Sequence, residues 1–221
     1  MQNMTANTAQ YIKENKAIAI IRRVYGDDLL NLARALAKGG IRLMEVTFDQ
    51  ADPDCIQKTS RAIESLCDAI GGDMVIGAGT VMSTRQVDAA IAAGARYIIS
   101  PNTSARVITY TKEKGVVSIP GAMTPSEMAL AHDCGADFVK VFPAGDLGVA
   151  YMKNVMAPLS HIQFIAAGGV GASNFAEYLE AGFVGAGIGG FLSDKNLLKA
   201  GNFDEFTRRA KILADVAAGK E

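Results

Sequence analysis

The feature that most restricts the fold is a regular alternation of short apolar, β-branched runs with longer amphipathic segments. The runs predict eight strands, at residues 18–22, 41–47, 74–77, 97–100, 116–119, 138–142, 162–166 and 184–188. The segments between them predict helices, among them residues 28–38, 84–93, 124–134 and 173–181. A polar opening helix is expected within residues 2–16.

Several of these predicted helices end at the same signal, a glycine that is followed within a few residues by the next strand. Gly39, Gly94, Gly135 and Gly182 all occupy this position. A glycine just past a helix can take the left-handed conformation that stops it. Repeated helix–glycine–strand units are typical of a parallel sheet, and eight strands in strict alternation with helices favour an α/β fold, a single (β/α)8 TIM barrel spanning residues 1–221. An open doubly wound sheet is the alternative, although no G-x-G-x-x-G opens the first unit.

The composition argues against several classes of partner. A formal net charge of −1, with no basic cluster, disfavours nucleic acid and anionic membranes. The three cysteines and two histidines show no metal-ligand spacing, so we expect reduced thiols, no metal and no other cofactor. No apolar stretch approaches the length of a signal peptide or a membrane span, which leads us to expect a cytoplasmic protein.

Lys140 is a charged residue within an otherwise apolar strand. Strand alternation places it on the same face as Phe138 and Phe142. Loss of hydration on a buried face lowers the pKa of an amine, which would provide a neutral nucleophile for attack on a ketone. The alternative is a lysine on an exposed face, or one paired with a carboxylate.

Two further polar residues lie in or at the end of predicted strands, where barrels carry their catalytic groups. Glu45 shares a strand face with Leu43 and Thr47. It is either a general base whose pKa is raised by burial or simply the ion-pair partner of Lys140. Arg22 ends the first strand and could bind an anionic group, but it could equally be a surface arginine.

Glycine clusters follow the last two strands. Gly168 and Gly169 come after the seventh, and residues 187–190 contain three glycines after the eighth. Barrels commonly bind phosphate here with loop amides and a short helix, because glycine lets the backbone approach the anion closely. Two clusters at the two expected loops favour a phosphate site over simple tight turns.

Several motifs together resemble those of the 2-keto-3-deoxy-6-phosphogluconate / 4-hydroxy-2-oxoglutarate aldolases, and the similarity runs from about Ile18 to the final helix. The motifs are Leu43-Met44-Glu45-Val46-Thr47, Gly77-Ala78-Gly79-Thr80-Val81, Ser100-Pro101-Asn102, Pro120-Gly121-Ala122-Met123-Thr124-Pro125-Ser126-Glu127, Lys140-Val141-Phe142-Pro143-Ala144 and Ala167-Gly168-Gly169-Val170. The resemblance implies a homotrimer of (β/α)8 barrels that needs no metal.

Matching positions imply that Lys140 forms an imine with the substrate and that Glu45 is the general acid/base. They imply that the substrate pocket is lined by Arg22, Thr47, Thr80, Pro101 and Asn102. They also imply that the phosphate is bound by Gly168, Gly169, Gly189 and Gly190.

Three positions depart from the pattern of the gluconate enzymes. Asp49 replaces an arginine, Ala167 replaces a threonine, and Gly190 replaces a serine. The Ser-Pro-Asn and Ala-Gly-Gly-Val forms instead favour the branch that acts on the galactonate epimer.

The expected reaction is cleavage of 2-keto-3-deoxy-6-phosphogluconate to pyruvate and glyceraldehyde 3-phosphate through a lysine Schiff base. Cleavage of 4-hydroxy-2-oxoglutarate to pyruvate and glyoxylate is a second expected activity, and 2-keto-3-deoxy-6-phosphogalactonate is an alternative substrate. Two more distant alternatives remain. One is a phosphate-binding barrel that isomerises or condenses a sugar phosphate by acid/base chemistry, and the other is a non-catalytic barrel that binds a metabolite or a protein.

Overall fold

A parallel sheet runs through the centre of the molecule, which we describe from a computed structural model covering residues 2–220. Its strands are β1 (Ala17–Ile21), β2 (Leu43–Thr47), β3 (Val75–Gly79), β4 (Tyr97–Ile99), β5 (Val117–Ile119), β6 (Gly121–Ala122), β7 (Val139–Val141), β8 (Phe164–Ala167) and β9 (Gly185–Ile188). The helices are α1 (Gln2–Asn15), α2 (Gly26–Lys38), α3 (Cys55–Ile70), α4 (Thr84–Ala92), α5 (Ala105–Glu113), α6 (Pro125–Asp133), α7 (Ala144–Met156), α8 (Phe175–Glu180), α9 (Lys195–Lys199) and α10 (Phe203–Ala217).

The sheet closes into a barrel through a strand that is interrupted at Pro120. The strand order is β5-β4-β3-β2-β1-β9-β8-β7-β6, and only Pro120 separates β5 from β6 in the chain. The Lys140 amide donates to the Pro120 carbonyl at 2.8 Å, whereas proline has no N–H with which to continue the ladder. Residues 117–122 therefore act as one barrel strand that pairs with β4 on one side and β7 on the other. The predicted (β/α)8 barrel is confirmed, and the open sheet is wrong.

The strand boundaries differ slightly from those predicted, for a local reason. The second strand was expected from residue 41, but the Ile41 amide donates to the Leu36 carbonyl and so closes the end of α2. Three of the four glycine signals behave as expected, since Gly94, Gly135 and Gly182 have φ values of 101°, 92° and 101°. Gly39 is instead right-handed, with a φ of −78°, and the next residue, Gly40, takes the left-handed conformation. That left-handed conformation is available to glycine without strain, so each helix stops there and the chain turns into the sheet.

The barrel interior is sealed at its N-terminal end and open at the other. Large apolar side chains fill the lower layer, namely Ile18, Leu43, Tyr97, Val117 and Phe138. Ile12 of α1 packs against them and is fully buried, so α1 covers this end. A second apolar core lies between the strands and the surrounding helices. The interior is therefore open to a ligand at the C-terminal ends of the strands. No helix within residues 2–220 is long and apolar enough to cross a membrane.

Candidate active site

Two adjoining cavities open at the C-terminal ends of the strands. The larger is about 660 Å³ and is bordered by the loops after β8 and β9, and the smaller is about 500 Å³ and is bordered by the loops after β2, β3 and β4. Both are lined by Arg22, Phe142 and Lys195, so they form two halves of one depression. An elongated ligand could extend from one half to the other.

Lys140 lies in the middle of β7 and lines neither cavity, but it is one inward-facing position before Phe142, which lines both, so it lies directly below the depression. Only 9% of the residue is exposed, and its Nζ lies 5.2 Å from the centre of the Phe142 ring. Burial lowers the pKa of the Lys140 amine, and the positive charge of Arg22 lowers it further, while Glu45 acts in the opposite direction. The structure thus holds an amine in the conditions that favour its neutral, nucleophilic form.

Glu45 projects into the interior from β2 and is 3% exposed. Burial raises the pKa of its carboxyl to about 6, although the charges of Lys140 and Arg22 oppose this rise. Its Oε2 atom is buried and has no hydrogen-bond partner among residues 2–220. No described residue holds this carboxylate oxygen, and the predicted role of Glu45 as a general base requires such an oxygen.

The two adjacent arginines at the end of β1 have different surroundings. Arg23 adopts a left-handed φ of 57° and pairs with Asp49 at 2.6 Å. Arg22 lines both cavities, and in the described part of the chain it forms no ion pair. Arg22 is thus the arginine available to an anionic ligand. Asp49 stands where the gluconate pattern has an arginine, and its carboxylate is paired with Arg23.

Of the remaining residues expected to bind substrate, three reach the smaller cavity: Thr47, Thr80 and Pro101. The Thr47 hydroxyl donates to the Ile21 carbonyl at 3.2 Å. Thr80 has a left-handed φ of 55°, and its backbone carbonyl accepts a hydrogen bond from the Gln50 side-chain Nε2 at 2.7 Å. Asn102 is exposed to solvent and, unlike these three residues, lines neither cavity.

The glycine loops line the larger cavity, as their position after the last strands predicts. Gly168 and Gly169 have left-handed φ values of 81° and 76°. Four backbone amides around this cavity donate no hydrogen bond to any described residue: those of Gly169, Val170, Gly190 and Phe191. Unpaired amides that line a cavity beside Arg22 can bind an anion with several negatively charged oxygens.

Three polar residues of the larger cavity were missed by the sequence reasoning: Ser193, Asp194 and Lys195. The Asp194 side chain caps α9 by accepting from the Asn196 amide at 2.8 Å. This carboxylate occupies the amides of the short helix, so the loop amides rather than the helix are left for a ligand. An aspartate placed before a short helical segment is a recognisable capping signal that could have located α9.

The fold and these residues together define a class of enzyme. A buried amine and a buried carboxylate at the C-terminal end of a (β/α)8 barrel, beside a cationic depression, are the components of a barrel enzyme acting on an anionic carbonyl compound. The family model for KDPG and KHG aldolase matches residues 8–209, and the chain belongs to this family. The protein is therefore an aldolase, a carbon–carbon lyase, and the resemblance seen in its motifs is confirmed.

Relatives named as phosphogluconate aldolases and as phosphogalactonate aldolases both match most of the chain. The 2-dehydro-3-deoxy-phosphogluconate aldolase of Treponema pallidum is 35% identical over 87% of this chain and 89% of its own. The 2-dehydro-3-deoxy-6-phosphogalactonate aldolase of Escherichia coli is 34% identical over 92% and 94%. The structure of KDPG aldolase from Legionella pneumophila, with pyruvate captured as a covalent carbinolamine, is 28% identical over 93% and 97%, with a TM-score of 0.82.

Proposed function

We propose that the protein cleaves 2-keto-3-deoxy-6-phosphogluconate to pyruvate and glyceraldehyde 3-phosphate through an imine formed on Lys140. The observation that carries this proposal is the desolvated Lys140 amine, which lies beneath a cationic depression and close enough to Glu45 for the two charges to influence each other. Support also comes from the Legionella pneumophila relative, which was captured with pyruvate as a carbinolamine.

The reaction begins with attack of the neutral Lys140 Nζ on the C2 ketone of the substrate. Loss of water from the resulting carbinolamine gives a protonated imine, which can accept an electron pair. Glu45 removes the proton from the C4 hydroxyl, the C3–C4 bond breaks, and its electrons move to the imine nitrogen. The C4 end leaves as an aldehyde, and the enamine of pyruvate remains on Lys140.

The second half returns the enzyme to its starting state. Glu45 gives its proton to C3 of the enamine, and water then hydrolyses the imine to release pyruvate and the free amine. A carboxyl with a pKa of about 6 suits both roles, because it is ionised at neutral pH yet can hold a proton transiently. The proposed reaction needs no metal and no other cofactor.

The larger cavity is proposed to bind the substrate phosphate, through the unpaired amides near Gly169 and Gly190 and the charge of Arg22. Gly190 has open space around the position of a Cβ atom, so an aspartate fits there without steric displacement. Gly190→Asp should therefore raise KM for a phosphorylated substrate about tenfold or more through repulsion. Gly72→Asp is the matched control, since Gly72 also has open space but lies outside both cavities.

The galactonate epimer is a second candidate substrate, favoured by the Escherichia coli relative and by the Ser-Pro-Asn and Ala-Gly-Gly-Val motifs. The two epimers differ only at the C4 hydroxyl. Side-by-side kcat/KM measurements with both phosphorylated acids, and with 4-hydroxy-2-oxoglutarate, decide the preference. The last compound lacks a phosphate, and we expect it to be cleaved more slowly.

The direct test is incubation with pyruvate and sodium borohydride, followed by intact-mass and peptide analysis. We expect one reduced pyruvate adduct per chain, located on Lys140, and none in Lys140→Met. A folded wild-type protein that gives no adduct would overturn the imine mechanism and favour the acid/base isomerase instead. The resemblance also implies a homotrimer, and analytical ultracentrifugation would measure its mass. The cytoplasmic location expected from the sequence stays a prediction.

A further inference from the structure

The inner face of β3 carries no side chain where it passes beneath the active site. Its consecutive inward-facing residues are Gly77 and Gly79, which lie about 7 Å apart along the strand. Side chains from the two flanking strands cover them. The Glu45 carboxylate from β2 lies over Gly79, where a methyl group would stand 2.5 Å from Oε2. The Tyr97 ring from β4 lies over Gly77, where a methyl group would overlap it.

Each of these two side chains ends in a buried polar atom without a partner. Tyr97 is 0% exposed, and neither its hydroxyl nor Glu45 Oε2 has a hydrogen-bond partner among residues 2–220. A buried, unpaired polar atom is costly, and a buried tyrosine usually hydrogen-bonds through its hydroxyl. The side chains of the same apolar cluster, such as Ile99 and Phe138, carry no acceptor atom, and the Met44 backbone acts on the hydroxyl only by lowering its pKa.

We propose that Tyr97 is a positioning residue for Glu45: its hydroxyl donates a hydrogen bond to one water molecule, which donates in turn to Oε2 over the glycines of β3. The inference rests on the proposed role of Glu45 as the general base. It assigns a function to a residue that lies below the substrate depression and does not touch the substrate.

The charges around Glu45 support a donor at this position. Lys140 faces it from β7 and Arg22 from the end of β1, and β3 contributes only glycines. Burial first, and then the charge of Glu45, raise the pKa of Tyr97 well above its ordinary value. The phenol consequently stays protonated and keeps its donor hydrogen throughout the working pH range. A donor that faces a carboxylate stabilises the ionised form and lowers its pKa.

The test is the pH dependence of kcat/KM in Tyr97→Phe, which removes the hydroxyl and keeps the ring. The apparent pKa of the acid limb should rise by about one unit. At pH values below that pKa, kcat/KM of the variant should be about tenfold lower than that of the wild type, and at pH values well above it the two should be similar. Tyr178→Phe is the matched control, because Tyr178 is also buried but donates to the Ala144 carbonyl at 2.9 Å. We expect the limb to stay in place in that variant.

A measurement without turnover separates this inference from the proposed function. Infrared titration follows the protonated carboxyl band of Glu45, which Glu45→Gln identifies by its disappearance. Site-specific 3,5-difluorotyrosine at position 97 makes the hydroxyl a stronger donor and should move the Glu45 pKa in the opposite direction, downwards. If the Glu45 band titrates at the wild-type pH in both Tyr97 variants, the proposed role of Tyr97 is overturned, even if the pyruvate adduct forms on Lys140. If the Glu45 pKa shifts in these variants but the wild-type protein gives no pyruvate adduct, only the imine mechanism is overturned.

Discussion

Replacing Gly79 with alanine should disable the active site while leaving the barrel folded. The new methyl group would stand 2.5 Å from Glu45 Oε2, 2.7 Å from its Cδ and 2.9 Å from Thr47 Cγ2. Since ordinary contact begins at 3.4 Å, the carboxylate must move by about 0.9 Å. The backbone itself poses no obstacle, because Gly79 is not among the glycines with positive φ.

A displacement of about 1 Å in a reacting group can reduce the rate about 100-fold. We therefore expect kcat/KM for aldol cleavage to fall by about that factor, equivalent to roughly 2.7 kcal/mol of transition-state stabilisation. Crowding should cost about 1–3 kcal/mol of folding free energy, a few degrees in Tm for a chain of this size.

The assay is steady-state cleavage coupled to pyruvate detection, together with a thermal melt. Gly72→Ala is the control, because a methyl group there meets nothing within 4 Å. The pyruvate adduct on Lys140 should still form in Gly79→Ala, since the amine does not contact the new methyl. A folded Gly79→Ala variant with kcat/KM within twofold of wild type would refute the view that this glycine sets the position of Glu45.

Two further predictions concern the charges of the site. Activity of the wild-type enzyme should fall as the pH drops through about 6, because the Glu45 base must be ionised and its pKa is raised to that value; a profile of kcat/KM against pH that stays flat down to pH 5 would contradict this. Arg22→Gln removes a cation that lowers the pKa of both Glu45 and Lys140, so both limbs of the profile should move to higher pH, and KM for the anionic substrate should rise about tenfold. Arg23→Gln is its control, since Arg23 pairs with Asp49, and an equal effect of the two substitutions would show that Arg22 has no special position.

Much of this architecture could be predicted because it depends on local periodicity. Alternation of residue types along each strand placed Lys140 and Glu45 on inward faces, and glycines after the helices located the turns into the next strands. The ring closure at Pro120 was not predicted. Whether β5 and β6 form one barrel strand depends on their pairing with β4 and β7, and those strands are distant in the chain.

The amino-acid sequence by itself determined the eight-fold barrel, the family and the two groups at the centre of the proposed chemistry, because strand alternation and family motifs are properties of short segments. Only the tertiary structure decided which side chains meet. It directed Arg22 into the cavity and Arg23 to Asp49, and it brought Tyr97 and Glu45 over the bare glycines of β3. Such contacts depend on how strands are staggered around the closed barrel, and this stagger is a property of the whole ring rather than of any one segment.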